Sequence, residues 1–236
     1  MKDKLDSQKF SKDELDKFNS LSHDWWNMDG CFRTLHHINP ARLDYIKKFT
    51  HLNNQHILDL GCGGGILAEA LAIEGANVTG LDLASSSIEV AKLHLYESNL
   101  DVDYQCLDIG DYIGDKFDII SCMEMIEHVP NPEYIIKQCS NHLKPNGFLF
   151  LSTLNRNFKS YFLAVLMAEY VMNLIPKGTH DYQKFIKPSE LKLMLNKYNL
   201  NIVDIKGINY NPYTKMAKIS NNVDVNYIVC CQFLGV

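Results

Sequence analysis

The chain has 236 residues, 46% hydrophobic, 22% charged and 11% aromatic, a balance that excludes a disordered or fibrous protein and predicts one domain over 1–236. Lys and Arg number 23 against 28 Asp and Glu, a formal charge of −5, so the basic excess that holds nucleic-acid phosphates is missing and no nucleic-acid partner is expected. Seven cysteines, an odd number, in a chain opening on Met1-Lys2-Asp3-Lys4 rather than an apolar leader predict reduced thiols and a cytoplasmic location.

The first predicted helix covers 11–26: Ser11 and Glu14 have capping-box spacing, and Leu15, Phe18, Leu21, Trp25 and Trp26 make an apolar face. A second is predicted to start at Asn39 as N-cap with Pro40 in its first turn, the two forming a helical cap over 11–50. From residue 56 short apolar strands alternate with helical stretches. Strands are predicted at 56–60, 77–81, 102–106, 117–123 and 148–152, with helices at 68–73, 87–96 and 132–142 between them. A long segment then runs to about 186, followed by a helix at 188–197 and strands at 201–208 and 225–232. This rhythm predicts an α/β fold, a doubly wound seven-stranded sheet, mostly parallel, with an antiparallel last strand. The longest nearly apolar run, Tyr161 to Ile175, contains Glu169 and Asn173 and is shorter than the roughly 20 residues that cross a bilayer.

The first strand runs straight into Gly61-Cys62-Gly63-Gly64-Gly65. Glycines there permit the tight turn and let a ligand approach the backbone closely. At the end of the next strand stands Asp82, placed to accept hydrogen bonds from both hydroxyls of a ribose. Loop and acid together predict a nucleoside-containing cofactor. Gly61, Gly63 and Gly65 do not fit the dinucleotide spacing from Gly61, but Gly63-x-Gly65-x-x-Ala68 does, which keeps an NAD(P)-dependent oxidoreductase as the competing expectation. Asp59 before the turn and Asp108 after the third strand add acceptors suited to an amine and to an adenine amino group.

This series of acid, glycine loop, acid and acid resembles the class I S-adenosylmethionine-dependent methyltransferases, whose first motif corresponds to Leu58–Gly65, ribose acid to Asp82 and adenine-side acid to Asp108. The turn Leu143-Lys144-Pro145-Asn146-Gly147 resembles a late turn of the same family, with Asn146, which tolerates positive φ, where glycine is usual. More specific stretches, Phe32–Leu43, Cys122–Pro130, Ser152–Asn157, Pro176–Asp181 and Val223–Tyr227, resemble the ubiquinone-biosynthesis O-methyltransferases, and the similarity extends from about Phe18 to Gln232. The resemblance implies S-adenosyl-L-methionine as cofactor and methylation of two different hydroxyls on a polyprenylated phenol or quinol. It also implies cofactor contacts at Arg42, Gly61, Asp82 and Met123. Arg42 has a planar fork suited to a carboxylate; Met123 alone would read as core packing.

Glu124, Glu127 and His128 close the fourth strand as E-x-x-E-H. On a helix the three would share a face, and the resemblance implies that they hold Mg²⁺, with His128 the candidate catalytic base. Residues 156–188 carry Arg156, Lys159, Lys177, Lys184 and Lys187 against Glu169 and Asp181, so this segment is +3 and the rest of the chain −8. With the apolar stretch inside it, the segment 154–188 is expected to be a lid or a contact with an anionic membrane surface. Other ubiquinone-biosynthesis proteins are implied as partners.

Overall fold

The structure, a computed structural model, describes residues 12–160 and 182–235. It begins with α1 (Lys12–Leu21), a 3₁₀ turn at Ser22–Asp24 and α2 (Arg33–Lys47). Then follow β1 (His56–Leu60), α3 (Ile66–Ile73), β2 (Asn77–Asp82), α4 (Ser85–Ser98), β3 (Val102–Cys106), β4 (Phe117–Met123), α5 (Pro132–His142) and β5 (Leu143–Leu154). The chain closes with α6 (Pro188–Asn196), β6 (Leu200–Asn211), β7 (Met216–Ser220) and β8 (Asn226–Phe233).

The strands form one sheet in the order β3-β2-β1-β4-β5-β8-β6-β7. The first five pair in parallel, whereas β8 runs antiparallel to β5 and β6, and β7 runs antiparallel to β6. The central strands are buried on both faces, and alternate residues feed separate apolar layers: Leu58, Leu149, Leu151 and Val229 on one side, Ile57, Phe150, Ile228 and Cys230 on the other.

Three sequence expectations are corrected. The sheet has eight strands, not seven: β7 follows a turn in which Asn211 Oδ1 accepts the amides of Tyr213 and Thr214 at 2.9 and 3.2 Å, and its Ala217 and Ile219 pack on the Ile208 layer. The second helix starts at Arg33, not beside Pro40, which lies inside it. Asn39 caps nothing; its amide donates to Ile66 O at 3.0 Å. Burial of Ile38, Asn39, Ala41, Arg42, Tyr45 and Ile46 along one face outweighs the hydrogen bond that an interior proline forfeits. The first helix ends at Leu21 instead of running to 26. Ser11 lies outside the described residues, and Glu14, its expected capping partner, turns toward Lys184 and His128. Asn146 takes the positive φ expected of it, 64°; Asn131 caps α5 through Tyr134 N at 3.1 Å, and Glu190 accepts from Lys187 N at 3.1 Å at the start of α6.

Candidate active site

A cavity of 620 Å³ opens at the carboxyl ends of the parallel strands, lined by every predicted site residue except Glu127. Its floor is the turn from β1 into α3. Gly61, Gly63 and Gly65 have φ of 73°, 53° and 91°, the left-handed region that a Cβ penalises. A Cβ on Gly61 would also stand 2.6 Å from Met125 Cγ. The amides of Gly61 and Cys62 donate to Leu81 O at 2.8 and 3.1 Å, fixing the turn against β2.

Asp82 ends β2. One carboxylate oxygen accepts Gly63 N and the other Ala84 N, both at 2.8 Å, and each oxygen retains a lone pair for a ligand. Burial raises its pKa against the opposing pull of these amides. Asp59, 3% exposed, accepts from Ser121 Oγ at 2.7 Å. Burial lifts its pKa to about 6, opposed by the Ser121 bond and the Arg42 charge. Asp108 accepts Gly110 N at 2.8 Å and Tyr134 Oη at 2.6 Å, so the tyrosine fixes the carboxylate at the wall. Arg42 is 4% exposed. Its guanidinium lies 3.4 Å from Glu124 Oε1, but among the described residues Nε and Nη2 have no hydrogen-bond partner. Buried guanidinium donors left in this state suit an incoming carboxylate.

Two tryptophans that the sequence had placed on a helix face instead cover the glycine turn from the segment between α1 and α2. Trp25 lies against Gly63 and Gly64, stacks on Phe32 at 3.8 Å and donates to Ser87 Oγ at 3.0 Å. Trp26 donates to Gly64 O at 2.8 Å and stacks on His94, which bonds the buried Glu69 at 2.8 Å. The adjacent pair Trp25 and Trp26 was the available sequence signal, which helical period alone assigns to a helix face.

Glu124 leaves β4 with φ of 53°, unusual for this residue type. Its amide donates to Ser152 O, and Ser152 Oγ donates to its carboxylate at 2.8 Å. This sharp exit puts Met125 and His128 over the cavity. Glu127 is 3% exposed and accepts from Thr153 Oγ1 at 2.9 Å; burial and the Glu124 charge raise its pKa. His128 Nδ1 lies 3.3 Å from Glu14 Oε2 of α1, with Phe18 edge-on to its ring. Burial disfavours the imidazolium, but Glu14 and Glu127 outweigh it and the His128 pKa is raised. The bond to His128 is the main cause that draws Glu14 down to about 2.

The expected metal triad is not assembled. Residues 124–128 form turns rather than a helix, and the two carboxylates are tied to Ser152 and Thr153, consecutive residues of β5 whose side chains alternate between faces. Among the described residues no three His, Cys, Asp or Glu side chains are grouped to hold a metal ion, so these residues do not fit Mg²⁺. Of the segment at 154–188, residues 161–181 lie outside the described residues. Three of its cations are engaged within the protein: Arg156 with Glu190, Lys159 with Asp224 and Lys184 with Glu14. Among the described residues no helix is long and apolar enough to cross a membrane.

The sheet order, the glycine turn and the acids at three strand ends define a class I S-adenosylmethionine-dependent methyltransferase. Residues 33–205 match the family described as a methyltransferase domain. Similar folds include magnesium protoporphyrin IX methyltransferase from Synechocystis PCC 6803 with bound SAH, with a TM-score of 0.68, 18% identity and coverage of 93% of this chain and 97% of that one. In sequence the chain is 50% identical to the ubiquinone biosynthesis O-methyltransferase of Coxiella burnetii over 96% of this chain and 97% of the relative. It is 48% identical to that of Chromobacterium violaceum over 93% and 96%, and 49% identical to that of an Azoarcus species over 94% and 97%. The chain belongs to the ubiquinone biosynthesis O-methyltransferase family. The nicotinamide alternative is thereby set aside: Gly63, Gly65 and Ala68 serve a methyltransferase loop.

Proposed function

We propose that this enzyme methylates phenolic hydroxyls of polyprenylated ubiquinone precursors, at both O-methylation steps of that pathway, with His128 as general base. The observation that carries this is the single cavity in which the cofactor-type residues Arg42, Asp59, Asp82 and Asp108 adjoin His128 and an apolar wall of Leu15, Phe18, Val129 and Leu154. S-Adenosyl-L-methionine supplies an electrophilic methyl group on a sulfonium. Arg42 would hold its carboxylate, Asp59 its ammonium, Asp82 its ribose hydroxyls and Asp108 its adenine amino group, while Met123 packs beside the base.

Methyl transfer to oxygen is an in-line displacement, so alignment and exclusion of water do most of the work. A phenol with a pKa of about 10 must lose its proton as the bond forms. His128 Nε2 takes that proton, while Glu14 holds Nδ1 and stabilises the imidazolium, an arrangement that uses no metal. The Glu14 contact fits this role because it favours the protonated imidazole. The acidic enzyme meets its lipid-borne substrate at the cytoplasmic face of a membrane through 156–188, beside other ubiquinone-biosynthesis proteins. The basic and apolar composition of that segment supports this placement; sedimentation with anionic liposomes at low salt tests it, and absence of binding rejects it. For the chemistry, His128→Ala is expected to lower kcat about 10²- to 10⁴-fold with cofactor affinity held within about twofold. Normal turnover in that variant removes His128 from the mechanism.

A further inference from the structure

The cavity reaches beyond the cofactor residues to a wall built by β6 and its hairpin. β6 runs antiparallel to β8, which runs antiparallel to β5, so β6 ends at the same sheet edge as the cofactor strands. Tyr210 is its penultimate residue and lines the cavity. In the sheet order, β6 is three strands from β4, about 14 Å at ordinary strand spacing. Tyr210 therefore belongs to the acceptor end.

The hydroxyl of Tyr210 is oriented from outside the cavity. His37 Nδ1, on α2, is 2.9 Å from Tyr210 Oη, with the two rings within 12° of parallel. Burial, with Lys215, His36 and Arg33 nearby, lowers the His37 pKa, and burial raises that of Tyr210. Both stay neutral, and the bond to His37 occupies only part of the hydroxyl's capacity. The surrounding wall is largely apolar, with Ile208, Pro212, Val225 and Leu154, and the carboxamide oxygen of Asn226 is already committed to Ile208 N at 3.0 Å.

A ring buried here with a second oxygen beside the reacting one must satisfy that oxygen or lose affinity. We infer that Tyr210, positioned by His37, is the specificity-determining residue that hydrogen-bonds the oxygen vicinal to the one being methylated, and so favours an acceptor ring that carries two neighbouring oxygens. His37 acts only through Tyr210. This assignment rests on the phenolic-acceptor reading above.

The test uses the full enzyme with 4-(3-methylbut-2-enyl)benzene-1,2-diol and with the matching monophenol, 4-(3-methylbut-2-enyl)phenol, which lacks the second oxygen. KM and kcat are measured for both acceptors, with S-adenosylhomocysteine affinity alongside. The wild type is expected to favour the diol in kcat/KM. Tyr210→Phe should lower kcat/KM for the diol by about fivefold, the effect of one neutral hydrogen bond, and leave that for the monophenol within about twofold. His37→Gln should reduce the preference for the diol by less. Cofactor affinity should stay unchanged in both. A diol preference unchanged in both Tyr210→Phe and Tyr210→Leu overturns the Tyr210 assignment, as does loss of cofactor binding in Tyr210→Phe, which would mark a structural role. If the wild type binds S-adenosylhomocysteine yet methylates neither phenol, the acceptor reading itself fails and this inference falls with it.

Discussion

Replacing Asp82 by alanine separates a cofactor contact from a structural one. The carboxylate accepts two backbone amides, Gly63 N and Ala84 N, both at 2.8 Å, and its remaining lone pairs are assigned to the two ribose hydroxyls. Hydrogen bonds to a charged partner contribute about 1.5–3 kcal/mol each. Losing two at the lower end costs about 3 kcal/mol, a weakening of roughly 150-fold in Kd. Stability should change far less. Burial already raises the Asp82 pKa, so the variant escapes the desolvation of a carboxylate while losing its two amide partners, and the two effects oppose each other. Isothermal calorimetry with S-adenosylhomocysteine and its 2′-deoxy analogue completes a double-mutant cycle. The wild type should lose about tenfold on the deoxy analogue, one hydrogen bond to a charged acceptor, and Asp82→Ala should scarcely distinguish the two ligands. An unchanged affinity for S-adenosylhomocysteine in the variant, or an equal deoxy penalty in both proteins, refutes the ribose assignment.

Asp59 gives a pH dependence. With its pKa raised to about 6 by burial, it must be ionised to hold the cofactor ammonium, so S-adenosylhomocysteine affinity should fall by up to about tenfold per unit below pH 6. Asp59→Asn should bind weakly and without that slope; an unchanged slope in calorimetry assigns the dependence elsewhere. Glu14, drawn to about 2 chiefly by its bond to His128, contributes stability that is present above its unfolded value near 4.5 and lost as pH falls toward 2. The urea midpoint of Glu14→Gln should therefore lie below that of the wild type at pH 6, and the gap should narrow below pH 4.5. A constant gap contradicts the ion-pair account. Trp25→Ala removes a ring 7% exposed that stacks on Phe32. It should destabilise by about 3 kcal/mol or more and weaken cofactor binding, whereas Trp25→Phe, which loses mainly the Ser87 bond, should cost about 1 kcal/mol. Thermal melts that do not separate the two variants would remove the packing role.

The α/β winding was legible because β1 and β4 are buried on both faces and read as mostly apolar runs, with Pro132 and Pro188 marking helix starts that local geometry demands. Gly61 and Asp82 were legible for the same reason: φ and a strand end dictate residue type. What stayed hidden depended on contacts distant in sequence. The start of α2 is set by burial against α3 and overrides the signal of Asn39 and Pro40. β7 is half-buried, and only its pairing with β6 and packing on the Ile208 layer make it a strand. The metal expectation came from the resemblance together with a helix after Met123, and the left-handed turn at Glu124 replaces that helix. Glu14 and Tyr210 reach the cavity from opposite ends of the chain, and no local pattern joins either to His128 or His37.

The central claim is transfer of a methyl group from S-adenosylmethionine to a prenylated phenol by these residues without a metal. Mass spectrometry of a short-prenyl demethylated quinol incubated with the enzyme and S-adenosylmethionine, with and without a chelator, tests it most directly. The account predicts one methyl ether per accepted oxygen, at equal rate in both arms. Cofactor binding without methylated product, or product that vanishes with the chelator, would contradict it.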